Sequence, residues 1–223
     1  MKDQAAIPVN PLADQQRRAF WLKQLHQWHW ISSGLCLVAM LAFAVTGLTL
    51  NHAAQIEARP QVSHRTTQLP EKLLAPLRAQ AEAADGKRGG SKEPLPPALR
   101  QWIASALSVT VGEQAAEWSA DEVYVALPRP GGDAWLRVAL EQGQVEYERT
   151  DRGWISYFND LHKGRNTGTA WSWFIDVFAV ACLVFCVTGL FLLQMHAGKR
   201  PATWPLVVLG LVAPLLLALV LMH

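Results

Sequence analysis

The chain has 223 residues, of which 51% are hydrophobic and 17% charged. Soluble domains carry about 25% charge, so this composition excludes a wholly soluble enzyme. A net charge of +2, spread along the chain, argues against a nucleic-acid partner.

The charge deficit is local. Ile31–Leu50, Val177–Met195 and Trp204–Met222 contain no charged side chain, while the rest of the chain has an ordinary soluble composition. Each run is close to the roughly 20 residues that a helix needs to cross the hydrocarbon of a bilayer. Three membrane helices are expected, with apolar cores at 28–50, 171–195 and 203–222. The division that follows is a cytoplasmic segment 1–27, helix 28–51, a large loop 52–167, helix 168–196, a turn 197–202 and helix 203–222. Lys2, Arg17, Arg18 and Lys23 precede the first span, and Lys199 and Arg200 separate the last two. The loop is balanced, with 14 basic and 15 acidic residues. By the positive-inside rule the N-terminus and the 197–202 turn face the cytoplasm and the loop lies outside. The first apolar run exceeds the roughly 7–15 residues of a signal-peptide core and reads as an uncleaved anchor. Cys36, Cys182 and Cys186 all fall inside the spans, so no disulfide framework is expected in the loop.

Within the loop, 53–97 is largely irregular in composition. Pro70–Ala84 can form an amphipathic helix with Leu73, Leu74, Leu77 and Ala81 on one side. Asp85–Pro94 reads as a flexible linker. Pro97–Leu107 places Leu99, Trp102, Ile103 and Leu107 at helical spacing. Short alternating runs follow at Glu122–Leu127, Ala134–Leu140 and Val145–Arg149, with turns at Pro128–Gly132 and Gln142–Gln144. The expected core, about 97–152, is one helix and three or four antiparallel strands. A unit of that size is marginal alone and would lean on the membrane or a partner.

The seven histidines are the most informative residues. His26 and His29 open the first span and His52 closes it. His162 precedes the second span and His196 closes it. Only His64 and His223 lie away from a helix end. The two spans also repeat one another. Each ends in Val-Thr-Gly-Leu (45–48 and 187–190) ahead of a histidine. Two such helices running in opposite directions form an inverted repeat, which pairs His52 with His162 on the outside and His196 with His29 or His26 on the inside. Facing imidazoles suit the axial positions of a haem iron, and a porphyrin is apolar enough to lie between helices. Trp28, Trp30, Trp154, Trp171, Trp173, Phe174 and Phe178, with Gly34, Gly47, Gly168 and Gly189, suit the walls of such a slot. No Cys-x-x-Cys-His occurs, so the haem would be of b type. The competing reading is interfacial anchoring, since histidine and tryptophan both favour membrane interfaces. A non-haem metal is the third. His29 and His52 stand 23 residues apart, about 34 Å along a helix, so the two pairs belong to opposite faces of the bilayer. Depth favours His29 over His26. Asp176 is the one acid near a span, a functional candidate or a water-facing residue. Lys163 and Arg165 stand beside His162 as candidate partners for propionates.

The segments LHQWHWISSGLCLVAMLAFAVTGLTLNH and LHKGRNTGTAWSWFIDVFAVACLVFCVTGLFLLQMH resemble the PepSY-associated transmembrane helix family. The helix-plus-strands loop is similar to a PepSY-type domain. The resemblance implies a mainly α membrane protein of the bacterial inner membrane: three transmembrane helices, with a small α+β, PepSY-like extracytoplasmic domain between the first two. Larger members are ferric-siderophore reductases that hold haem b between membrane histidines. Residue by residue, that implies His29, His52, His162 and His196 as ligands of one or two haems, with His26 the alternative to His29. Those reductases have more membrane helices, so a second copy or a partner subunit is implied to complete the wall. No dinucleotide fingerprint is present, so a cytoplasmic reductant or reductase would dock from outside the chain.

Two functions of different class emerge. One is a conduit that passes electrons through haem b to a periplasmic acceptor such as a ferric chelate. The other is a non-catalytic, membrane-anchored PepSY-type binding or regulatory module. Metal permeation is weaker, since only Met40, Met195 and Asp176 offer relay ligands in or near the spans.

Overall fold

A computed structural model of the chain describes residues 11–57, 59–85 and 92–221. Most of the expected linker (86–91), the first ten residues and His223 lie outside the described residues. In chain order the elements are α1 (Pro11–Asn51), β1 (Gln61–Gln68), α2 (Glu71–Asp85), α3 (Pro97–Leu107), β2 (Glu117–Trp118), β3 (Glu122–Ala126), β4 (Gly132–Ala139), β5 (Gln144–Asp151), α4 (Gly153–Lys163), α5 (Thr169–His196) and α6 (Thr203–Leu221).

Helices α1, α5 and α6 are long and apolar enough to cross a membrane. Their outward side chains are Leu, Val, Phe and Trp, which a bilayer solvates and water does not. The protein is therefore a membrane protein. At 41 residues, α1 is about twice the length that a bilayer requires. Its first two turns carry Asp14, Arg17 and Arg18, outside the apolar run. Two compact units form: residues 1–42 with 173–223, and residues 43–172.

The second unit holds a five-stranded antiparallel sheet in the order β1-β5-β4-β3-β2. The alternation in β4 puts Ala134, Leu136 and Val138 on one face, and Leu140 continues it just past the strand end. Val123 and Val125 of β3 and Val145 and Tyr147 of β5 share that face. Leu99, Ile103 and Leu107 of α3 and Leu74, Leu77 and Ala81 of α2 cover it, and together they make one core. The opposite face is polar, with Tyr124 stacked on Trp135 at 6.3 Å.

The sheet takes in more of the chain than its alternating runs suggest. Strand β1 lies in the stretch of irregular composition. Its sequence, QVSHRTTQ, is exposed on nearly every residue, so no hydrophobic period marks it. It is held by backbone pairing to β5 along its whole length, from Gln61 opposite Asp151 to Gln68 opposite Gln144. Helix α4 is the second addition. Gly164, at φ 65°, ends it in a left-handed cap whose N–H donates to the carbonyls of Asp160 and Leu161.

Leu136 is fully buried between Val125 and Tyr147 on the neighbouring strands. Leu136→Ala should destabilise this domain by about 2–5 kcal/mol. Hydrogen exchange of the β4 and β5 amides in the full chain is the measurement; unchanged protection would contradict the core assignment.

Candidate functional site

In the first unit, His29 of α1 is seated against the Phe185–Gly189 turn of α5. Its ring stacks on Phe185, with centroids 4.5 Å apart and planes 17° from parallel. Its Nδ1 lies 3.0 Å from the Thr188 hydroxyl and 3.2 Å from the Phe185 carbonyl. The Thr188 hydroxyl gives its one proton to its own helix, at the Val184 or Phe185 carbonyl. It then accepts from His29, so Nδ1 carries a proton, and in the neutral ring Nε2 keeps its lone pair. Gly189 makes the close seat possible. A Cβ there would stand 3.3 Å from His29 Cε1.

The second unit repeats this arrangement with other residues. His162 of α4 is seated against the Phe43–Gly47 turn of α1. Its Nδ1 lies 2.7 Å from the Thr46 hydroxyl, which donates to the Phe43 carbonyl. The ring rests 4.9 Å from that of Phe43, and a Cβ on Gly47 would meet Cε1 at 3.5 Å. With the Thr46 proton on the Phe43 carbonyl, the neutral His162 ring would carry its own proton on Nδ1. Neighbouring residues hold α4 in place. Thr49 donates to Asn159 Oδ1 at 2.8 Å, and the Gly131 N–H donates to Asp160 Oδ2 at 2.9 Å. Both acceptor side chains are buried.

His26 and His29 lie in the middle of α1, not at a helix end as expected, because the helix begins at Pro11, well ahead of the apolar run; the remaining histidines of these helices meet a local acceptor. Nδ1 of His26, His52 and His196 lies 2.8–3.0 Å from the carbonyl four residues earlier. A carbonyl only accepts, so Nδ1 of each carries a proton, and in the neutral ring the lone pair is on Nε2. His26 and His196 come together, with centroids 6.1 Å apart. His29 and His196 share an open apolar groove of about 600 Å³, completed by Phe185, Cys186, Gly189 and leucines of α5. No hydrogen bond or ring stacking joins His52 to His162 among the described residues, although both belong to the second unit. Nor does any group of three or more His, Cys, Asp and Glu converge there.

These features fit a haem. A metal-binding histidine commonly donates its other ring N–H to a fixed acceptor, which sets the tautomer and raises ligand basicity. Here an oxygen faces Nδ1 of each ring, and the first unit adds an open apolar groove beside His29 and His196.

The PepSY_TM-like family model matches residues 20–223. The chain belongs to the PepSY_TM-like family. No curated protein and no solved structure matches it.

Other candidates in this PepSY_TM-like protein hold lesser positions. Asp176 is exposed on α5, and Lys163 and Arg165 are exposed at the end of α4 and just beyond it. The cysteines are free thiols, buried at Cys36 and exposed at Cys186. Sequence reasoning missed Thr46 and Thr188 as histidine partners. The signal was in view, since Phe-x-Val-Thr-Gly-Leu occurs at 43–48 and 185–190. In the sequence it marks the repeat of the two spans and does not name the histidine partner. Asn159 and Asp160 lay in a stretch not recognised as helix.

Thr46→Val and Thr188→Val each remove an acceptor while keeping side-chain shape. A net hydrogen bond of about 1 kcal/mol corresponds to a roughly fivefold shift toward the Nε2–H tautomer. The shift should be larger for His162, because His29 retains the Phe185 carbonyl. Nitrogen-15 spectra of histidine-labelled protein measure it; unchanged tautomers in both variants would refute the proton assignment.

Proposed function

We propose that this PepSY_TM-like protein is a haem b protein of the bacterial inner membrane. It carries electrons from a cytoplasmic reductant to a periplasmic acceptor, a ferric chelate, with its N-terminus in the cytoplasm and its sheet domain in the periplasm. The observation that carries the reading is a shared contact. Five imidazoles have Nδ1 within hydrogen-bond distance of an oxygen, which in the neutral ring leaves the Nε2 lone pair for a ligand. Anchoring at an interface needs no such uniformity. In the first unit, two imidazoles on one apolar wall also favour porphyrin over a bare ion, because a porphyrin brings four nitrogen ligands and asks the protein for only two.

His29 and His196 are the inner ligands in this reading, with His26 as the alternative to His29, and His52 and His162 are the outer ones. Bound haem supplies one-electron chemistry. The chain's own residues do the rest. Thr188 and Thr46 hold the rings in orientation and make Nε2 a stronger donor. The apolar wall from Phe185 to Leu193 excludes water and lowers the local dielectric, which tunes a redox potential. Helix α6 buries no side chain within the chain, which leaves it available to a second copy or a partner subunit in completing the wall.

A second reading, the binding or regulatory module, draws on the sheet domain's own core. Histidine substitutions in the helices would then be silent.

The test is the absorption spectrum of detergent-purified protein, oxidised and then dithionite-reduced. Sharp b-type α and β bands are expected, with about one or two haems per chain. His162→Ala and His29→Ala should each reduce haem content, and His26→Ala should do so less. Gly189→Val should act like His29→Ala by displacing the ring, whereas Gly189→Ala should be milder. Ferric-chelate reduction that persists without haem would overturn the proposal.

A further inference from the structure

The sheet domain carries a second cleft, of about 550 Å³, that the histidine sites do not use. Arg59, Arg129 and Arg149 line it together with one carboxylate, Asp151, and two aromatic rings, Trp154 and Tyr157. Asp151 stands 3.3 Å from Arg149 and 3.9 Å from Arg129. Arg59 lies 3.6 Å from Glu57, but both are well exposed, and such a pair contributes little. Each guanidinium offers five N–H donors, so one internal carboxylate leaves most of this donor set unspent. Trp154, 76% exposed, presents a large flat face beside it.

The walls are fixed rather than loose. Gly131, at φ 74°, brings the β3–β4 turn so near α4 that a Cβ there would stand 2.8 Å from Tyr157 Cα. The Gly131 N–H donates to Asp160 and its carbonyl accepts from the Arg152 N–H at 2.8 Å. The Gly153 N–H donates to Asp151 Oδ1 at 2.9 Å. That bond, then Arg149 and Arg129, holds the Asp151 carboxyl below its ordinary range despite some opposing burial. The carboxylate is therefore ionised at neutral pH and stands where an incoming carboxylate would bind.

We propose that this cleft is a binding site for a small soluble polycarboxylate, with its oxyanions on Arg59, Arg129 and Arg149 and any flat portion stacked on Trp154. Guanidinium forks match carboxylates in geometry and stack on aromatic faces. Asp151 already shows one carboxylate held between two of these arginines, so a ligand with two or more carboxylates competes with it and reaches the third. Tyr157 and His162 are five residues apart on α4, about 7.5 Å along its axis. A ferric polycarboxylate bound here would thus lie near the proposed outer haem ligand. That extension rests on the haem reading; the binding itself does not.

Calorimetry on the detergent-purified full chain tests it with three probes: citrate, benzene-1,3,5-tricarboxylate and benzoate. The two tricarboxylates should bind at least tenfold tighter than benzoate, with affinity falling as salt rises. Arg59→Gln/Arg149→Gln should weaken both by tenfold or more. Trp154→Leu should weaken the aromatic tricarboxylate more than citrate. Asp151→Asn should tighten binding severalfold, a gain that misfolding does not produce. Equal affinity for benzoate, or tricarboxylate affinity indifferent to the double arginine variant and to Asp151→Asn, would overturn the proposal. Binding confined to anionic phospholipid vesicles would overturn it too, and assign the arginines to the membrane surface. Binding without reduction of ferric citrate would leave this site standing and count against the electron-transfer reading alone.

Discussion

A threonine hydroxyl has one proton to give. Inside a helix it gives that proton to a carbonyl one turn back, and its oxygen lone pairs then face outward as an acceptor. Both histidine seats depend on this. Thr188 and Thr46 each donate within their own helix and accept from the Nδ1 of a histidine on another. The glycine that follows each threonine removes the side chain that would push the ring away, and the phenylalanine three residues before it supplies a ring to pack on. Phe-x-Val-Thr-Gly-Leu is thus a docking surface for an imidazole, used twice. The ring that docks is held in one tautomer and one orientation, with the unprotonated nitrogen left for a ligand.

Helix α4 brings the sheet domain and the membrane-facing chain to one short element. Over 11 residues it carries Tyr157 against the β3–β4 turn, Asn159 and Asp160 as buried acceptors, and His162 on Thr46. Side-chain carboxylate and amide oxygens that are buried need donors, and the donors here are Gly131 from the sheet and Thr49 from α1. A change in the β3–β4 turn therefore bears on the same helix that orients His162. The arginine cleft sits on that turn and on the first turns of α4, so its occupancy and the position of His162 share one rigid support.

Much was legible before any coordinates. The three membrane helices were visible because a bilayer demands a contiguous apolar run, which needs no knowledge of neighbours. The strands β3, β4 and β5 were visible because one face of each meets a core, so burial imposes a period of two. Strand β1 escaped because both its faces are polar, and backbone pairing to β5 leaves no trace in side-chain pattern. Helix α4 escaped because its sequence, GWISYFNDLHK, mixes aromatic and polar residues that serve several contacts at once rather than one apolar stripe. The threonines escaped because a Thr-Gly pair near a helix end has an ordinary local explanation.

The sequence by itself determined the membrane spans, the α+β domain between the first two, and the placing of histidines at the ends of the apolar runs. Each of these follows from local composition and from the kind of residue present. The tertiary structure alone decided what faces Nδ1 of His29 and His162. The hydroxyls come from Thr188 and Thr46, 159 and 116 residues away in the chain, and only folding brings each against its ring.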